Sequence, residues 1–356
     1  MIVPGIAGCI TPVKDEQIEA GFAEAMGSLA GQGVWERFPG RGAVAGIVNG
    51  WTLSNGDLGC AVCGNIDWLQ YEFADIQLKK DPAHALMEAY HRLGLELLSV
   101  IGGRFSLFIS DKANNTVLIA CDRFGQMPVY WANGQNDELF FGPTATSVNR
   151  LLGKAARLSD QAIFNYLYFH MVPGPSTAFE GVSKLLAGHA LISRNGNWRT
   201  ERYWEPDFRE HADASVDSAG EEMMGLLSSS VARLADGADS GAFLSGGLDS
   251  STVAGLLARH EPNPKTYSIG FNAAGYDEMA YAKLASARFD TDFKAYYVTP
   301  EDVLAELPGI AAAYDEPFGN SSALPAYFCA RFAAADGRER LLAGDGGDEL
   351  FAGNER

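Results

Sequence analysis

With 356 residues the chain has room for two ordinary domains, and a 47% apolar fraction is enough for real cores. A net charge of -18 excludes broad binding to nucleic acid or anionic membranes, while leaving room for a local pocket for an anionic ligand. No signal peptide is visible over the first ten residues and no run approaches the ~20 apolar residues of a membrane span, so a cytoplasmic enzyme is expected. The cysteines, Cys9, Cys60, Cys63, Cys121 and Cys329, are odd in number and scattered, which is not a disulfide framework. Cys60-Ala61-Val62-Cys63 has metal or redox spacing. It lies in a strand-like run with no second pair and no nearby histidine, so a structural role is expected.

In chain order, residues 4–10 are apolar and small, and 16–31 can form a helix. Short strand-like runs alternate over 44–62 around the turn Ser54-Asn55-Gly56-Asp57. Residues 82–98 carry a helical stripe through Ala85, Leu86, Ala89, Leu93 and Leu97. Strands are predicted at 103–110, 116–121 and 127–131, continued by Leu139-Phe140-Phe141. A helix over 159–171 is stopped by Val172-Pro173-Gly174-Pro175. Residues 205–217 read as a surface connector, which places the domain boundary there: 1–205 and 206–356.

Beyond it, helices at 218–234, 277–289, 300–314 and 321–335 alternate with strands at 241–244, 265–271, 293–298 and 339–343. This implies an α/β domain with a doubly wound parallel sheet. The domain is expected to comprise five strands without a closing helix, with more of it following residue 356.

The organising stretch is Ser245-Gly246-Gly247-Leu248-Asp249-Ser250-Ser251, between an apolar strand and a helix. Gly246 and Gly247 let the backbone approach a phosphate, and the helix N-terminus adds free N–H groups and a positive dipole end. Asp249 would repel phosphate unless it holds Mg²⁺, which bridges the two. A plain serine or aspartate cap after a glycine turn is the alternative. The loop has no lysine, so it is not the Gly-x-x-x-x-Gly-Lys-Ser/Thr loop. A second constellation, Gly344-Asp345-Gly346-Gly347-Asp348-Glu349, follows the last strand, where α/β sheets place ligands. Its carboxylates suit Mg²⁺, and Asp345 or Glu349 could act as a base or orient an amine. Asp315-Glu316-Pro317 could line the same crevice.

The first string resembles the pyrophosphate loop of N-type ATP pyrophosphatases, and the motifs together resemble the class B, glutamine-hydrolysing asparagine synthetase family. Thr266-Tyr267-Ser268-Ile269-Gly270-Phe271 is similar to that family's adenine-side strand, and Asp315-Glu316-Pro317 and Gly344–Phe351 complete the series. In the first half, Gly5-Ile6-Ala7-Gly8, Asp122-Arg123-Phe124-Gly125 and Tyr203-Trp204 resemble its glutaminase domain. The resemblance implies an α+β N-terminal domain of Ntn-hydrolase type. It also implies ATP contacts from Leu244, Ser245, Gly246, Gly247, Leu248, Asp249, Ser250, Ser251, Ile269 and Gly344, Mg²⁺ ligands Asp249 and Asp348, and Asp345 as catalytic residue. A small-molecule or peptide carboxylate would be activated by ATP and attacked by ammonia or an amine; a homodimer is a further expectation.

Three departures concern the first domain. The family's catalytic N-terminal cysteine position is taken by Pro4, which has no nucleophile. The family's Asn-Gly-Glu-Ile string reads Cys63-Gly64-Asn65-Ile66 here, and no arginine stands over 44–48. The expectation is a domain that folds but does not hydrolyse glutamine. That keeps open an ATP-dependent cyclase or amide ligase of the lasso-peptide or β-lactam synthetase kind, and a non-catalytic scaffold or nucleotide sensor.

Overall fold

The computed structural model describes residues 4–11, 34–38, 43–135, 137–153, 155–209, 215–236, 239–272, 278–351 and 353. The helix expected over 16–31 lies outside them, as does Asp277. Chain contacts divide the protein into two units, Met1–Phe208 with Tyr314–Gly319, and Arg209–Ala313 with Asn320–Arg356.

The first unit contains β1 (Gly5–Ile10), β2 (Val34–Arg37), β3 (Ala43–Val48), β4 (Gly50–Asn55), β5 (Leu58–Trp68), α1 (Tyr71–Lys79) and α2 (Pro82–Leu93). It continues with β6 (Ile101–Asp111), β7 (Thr116–Cys121), β8 (Tyr130–Asn133), β9 (Leu139–Gly142), α3 (Ala145–Leu151) and α4 (Asp160–Phe169). Strands β10 (Ser183–Lys184), β11 (His189–Arg194) and β12 (Asn197–Arg202) end the series. Two antiparallel sheets result, ordered β10-β8-β9-β1-β3-β2 and β12-β11-β7-β6-β5-β4.

Strand alternation sorts their side chains into layers. Ile6, Ile47, Ala61, Phe108 and Ile119 fill the space between the sheets. Phe105, Leu107 and Ile109 point the other way, against Phe73 of α1 and Leu86 of α2. Ala7 and Cys9 meet Val148 of α3 on the outer face of the first sheet. The layering is therefore α–β–β–α, and strands buried on both faces explain the near-continuous apolar runs.

Two boundaries differ from the sequence expectation for a visible backbone reason. Gly94 takes φ +58°, so the helix expected over 82–98 stops at Leu93 and a 3-10 turn runs over Gly94–Ser99. The strand expected over 127–131 starts only at Tyr130. The buried Asp122 carboxylate accepts hydrogen bonds from the N–H groups of Phe124, Gln126 and Met127 at 3.0, 3.1 and 2.8 Å, holding the intervening chain in a turn. This also gives Asp122-Arg123-Phe124-Gly125 a structural role, with Gly125 at φ +66° and Arg123 bonded to the Ile101 carbonyl at 2.7 Å.

The second unit alternates α5 (Val216–Ala235), β13 (Ser240–Phe243), α6 (Leu248–His260), β14 (Lys265–Phe271), α7 (Met279–Phe289) and β15 (Asp292–Val298). Then come α8 (Pro300–Ala313), α9 (Ala323–Ala335), β16 (Arg340–Leu342) and α10 (Gly347–Phe351). Its sheet is parallel, in the order β15-β14-β13-β16, so four strands rather than five lie among the described residues. Ala242, Leu244 and Leu342 pack with Val231, Leu257 and Ala282 of α5, α6 and α7. On the opposite face Tyr267 packs with Cys329 and Ala333 of α9. Helices on both faces make this the doubly wound α/β domain that the strand–helix alternation predicts. No helix among the described residues is long and apolar enough to cross a membrane.

Candidate active site

Strands β13 and β16 are parallel neighbours, so the loops that follow them emerge side by side at the carboxyl end of the sheet. These loops are Ser245–Gly247 and Gly344–Gly346. Their meeting is tight. A Cβ on Gly347 would stand 2.5 Å from Oδ2 of Asp249, and one on Gly344 would stand 2.7 Å from the Asp249 Cβ. Two glycines of the second motif thus make the space that the first motif's aspartate occupies.

The first loop is glycine-dependent for a different reason. Gly246 has φ +91°, and a Cβ there would lie 2.6 Å from both the Ala282 amide nitrogen and the Tyr281 Cβ. The contact with Tyr281 was not readable from the motif, because it depends on α7 packing against the loop. Gly247 caps α6 with extended dihedrals. Ser245 and Ser250 brace the turn: their hydroxyls lie 2.9 Å apart, Ser245 N–H donates to Ser250 Oγ at 3.2 Å, and Gly247 N–H donates to Ser245 Oγ at 3.2 Å. Ser250 and Ser251 lie half-buried in the first turn of α6, and Leu248 is exposed.

Leu244, by contrast, is buried and fixed by its backbone, its N–H donating to Tyr267 O at 2.9 Å and its carbonyl accepting from Ser268 Oγ. Any part it has in a site is played by main chain. Ile269 is half-buried on β14 and packs against the Tyr267–Cys329–Ala333 cluster. Asp345 is exposed, and Asp348 and Glu349 lie in the first turn of α10.

The donor chemistry fits a hard cation that shares its shell with phosphate oxygens. Carboxylates at Asp249 and Asp348 would supply oxygen, and Mg²⁺ is typically bound through one or two carboxylates plus substrate phosphates. No group of three or more His, Cys, Asp or Glu among the described residues could hold a metal alone, so nucleotide oxygens would have to complete such a shell.

Asp315 and Glu316 belong by their contacts to the first unit. Both carboxylates are engaged by groups of the first unit. Asp315 accepts from the Ala145 N–H at 2.5 Å and the Thr146 N–H at 3.3 Å, at the start of α3. Glu316 pairs with Lys184 at 2.6 Å and accepts from Tyr130 O–H at 2.9 Å and Ala178 N–H at 3.2 Å. Burial and the Glu316 charge push the Tyr130 phenol well above its ordinary range. These partners make the segment a structural clasp.

In the amidotransferase-like unit, Cys63 and Cys121 are not activated thiols. Cys60 and Cys63 lie on opposite faces of β5, in different cores, so they cannot grip one metal ion. Burial raises the Cys63 thiol to about 11 and those of Cys121 and Cys329 to about 12. Nucleophilic cysteines need the opposite shift. With iodoacetamide at pH 8, these three thiols are expected to stay unmodified in the native protein and to react in urea; rapid native labelling of Cys63 would contradict its burial.

Two family models match in order: "Glutamine amidotransferase domain" over residues 71–204 and "Asparagine synthase" over 222–356. The chain is 29% identical over 270 residues to asparagine synthetase [glutamine-hydrolyzing] 1 of Bacillus subtilis, covering 75% of this chain and 42% of that protein. It is 31% identical over 275 residues to the putative asparagine synthetase [glutamine-hydrolyzing] 2 of Methanocaldococcus jannaschii, covering 75% and 53%. It is 26% identical over 286 residues to amidase chry2 of Gibberella zeae, covering 74% and 42%. The chain thus spans about half the length of these relatives, or less. An amidotransferase-type domain followed by a synthase-type α/β domain defines the class, and the chain belongs to the asparagine synthetase family.

Proposed function

We propose that the second unit uses ATP to activate a carboxylate and so form an amide. The observation that carries this reading is the closure of Gly344 and Gly347 onto Asp249. It sets a phosphate-type loop and an acidic glycine loop at one end of adjacent parallel strands. The substrate carboxylate oxygen attacks the α-phosphorus of ATP, the bond to the bridging oxygen breaks, and acyl-AMP and pyrophosphate result. The N–H groups of the Ser245–Ser251 loop and the α6 N-terminus hold the leaving pyrophosphate. Mg²⁺, held by Asp249 and Asp348 together with phosphate oxygens, would offset charge on that leaving group. Ammonia or an amine then attacks the acyl carbon. Asp345 takes up the amine proton as AMP departs, and the amide is released.

The nitrogen is free ammonia or a substrate amine. Pro4, just before β1, and the Cys63 and Cys121 thiols, whose burial raises them away from the thiolate form, support this, since none offers an activated nucleophile for glutamine. Aspartate is the acid we assign first. A ligase acting on an acid that carries its own amine is the second reading, favoured by the same Pro4.

The test is pyrophosphate release from Mg-ATP, with aspartate and either ammonia or glutamine. Release that depends on aspartate and ammonia, with no glutamate formed from glutamine, is expected. Absence of any aspartate response would overturn aspartate as the acid, and robust glutamate release would overturn the inert amidotransferase unit.

A further inference from the structure

The space between the two sheets of the first unit has two ends. β1 begins at one, beside Pro4, where the family resemblance puts glutamine chemistry. At the other, about 20 Å away at ~3.4 Å per residue, Ile10 and Thr11 reach a cavity of about 220 Å³ that the proposed reaction does not use. The hairpin ends of β6–β7 and β11–β12 form its rim.

That rim is tied in place. Asn115 Nδ2 donates to Asn195 Oδ1 at 2.9 Å, and Asn195 N–H donates to the Asn115 carbonyl at 3.0 Å. Both asparagines hold positive φ, +47° and +55°. Asp111, only 7% exposed, is fixed by the Asn114 N–H at 3.0 Å, the Asn114 side-chain amide at 2.7 Å and the Tyr90 hydroxyl at 3.2 Å. A carboxylate offers about four lone-pair sites, so capacity remains.

Ser193 also lines the cavity. It is 4% exposed. Asp137, Asn197 and the half-buried Trp198 line the same cavity, and among the described residues no Lys, Arg or His does.

We propose that this cavity binds a neutral polyhydroxylated molecule of about monosaccharide size. Its hydroxyls would donate to the Asp111 and Asp137 carboxylates and to the Asn197 side-chain carbonyl, and would meet the Ser193 hydroxyl. The Trp198 indole offers an apolar surface for a ring's C–H face. The Asp111 and Asp137 carboxylates repel a phosphorylated or carboxylated analogue. The site is independent of the ATP chemistry and stands or falls apart from it.

The experiment is calorimetric titration of the full 356-residue chain with glucose, galactose, N-acetylglucosamine and myo-inositol, against glucose 6-phosphate. Saturable binding of at least one neutral polyol is expected, at least tenfold tighter than of the phosphate ester. Ser193→Ala should weaken it about fivefold or more. Asn197→Ala, an exposed substitution with little bearing on folding, should weaken it similarly and leave pyrophosphate release unchanged. The proposal is overturned if no neutral polyol saturates by 50 mM, if glucose 6-phosphate binds as tightly, or if Asn197→Ala and a folded Ser193→Ala both bind like the parent protein.

Discussion

Replacing Asp249 with asparagine is expected to lower pyrophosphate release by about a hundredfold or more, the usual scale for losing one electrostatic element of a charged transition state. The substitution keeps size and helix position but removes the charge that a bridging cation needs. Gly347→Val should do the same damage from the other side. Its Cβ would fall 2.5 Å from Oδ2 of Asp249, so the carboxylate must move. A displacement of that order is costly where geometry sets the rate. The check is pyrophosphate release under saturating Mg-ATP, with thermal unfolding measured alongside. If Asp249→Asn retains parent-level turnover with unchanged stability, the assignment of phosphate and cation to this loop is wrong.

The second large effect concerns stability. Glu316→Ala strands Lys184, whose side chain is 28% exposed, and leaves the Tyr130 hydroxyl and Ala178 N–H without their acceptor. Breaking a buried ion pair typically costs 3–5 kcal/mol. Because Lys184 retains some access to water, the expected loss is about 2–3 kcal/mol by the same principle. Lys184→Met in the same background should recover at least half of it, since the stranded charge disappears. Urea denaturation of the single and double variants measures both. A Glu316→Ala protein within about 0.5 kcal/mol of the parent, the range of an ordinary surface substitution, would mean that the clasp contributes nothing.

Much of the second unit was legible because its signals are local. A short apolar strand, a Ser-Gly-Gly turn and a helix occupy consecutive residues, and the resulting fold required only that strands and helices alternate. Elements of the first unit were harder to bound. Gly94 ends a helix whose apolar stripe continues through Leu97, and Asp122 draws three N–H groups into a turn where the residues favour a strand. In both places a backbone constraint overrides side-chain pattern.

The sequence by itself determined that the chain carries a lysine-free Ser-Gly-Gly loop between a strand and a helix, a second acidic glycine loop and a strand-rich first half. These are properties of residue type and order. Only the tertiary structure decided where the carboxylates point. Asp249 meets Gly344 and Gly347 because β13 and β16 become neighbours, although nearly a hundred residues separate them. Glu316, which the sequence shows only as part of an Asp-Glu-Pro turn, pairs with Lys184 and with Tyr130, 186 residues away. The physical reason is that a half-buried carboxylate goes to whichever donors offset its desolvation, and those donors are brought to it only by the folded chain.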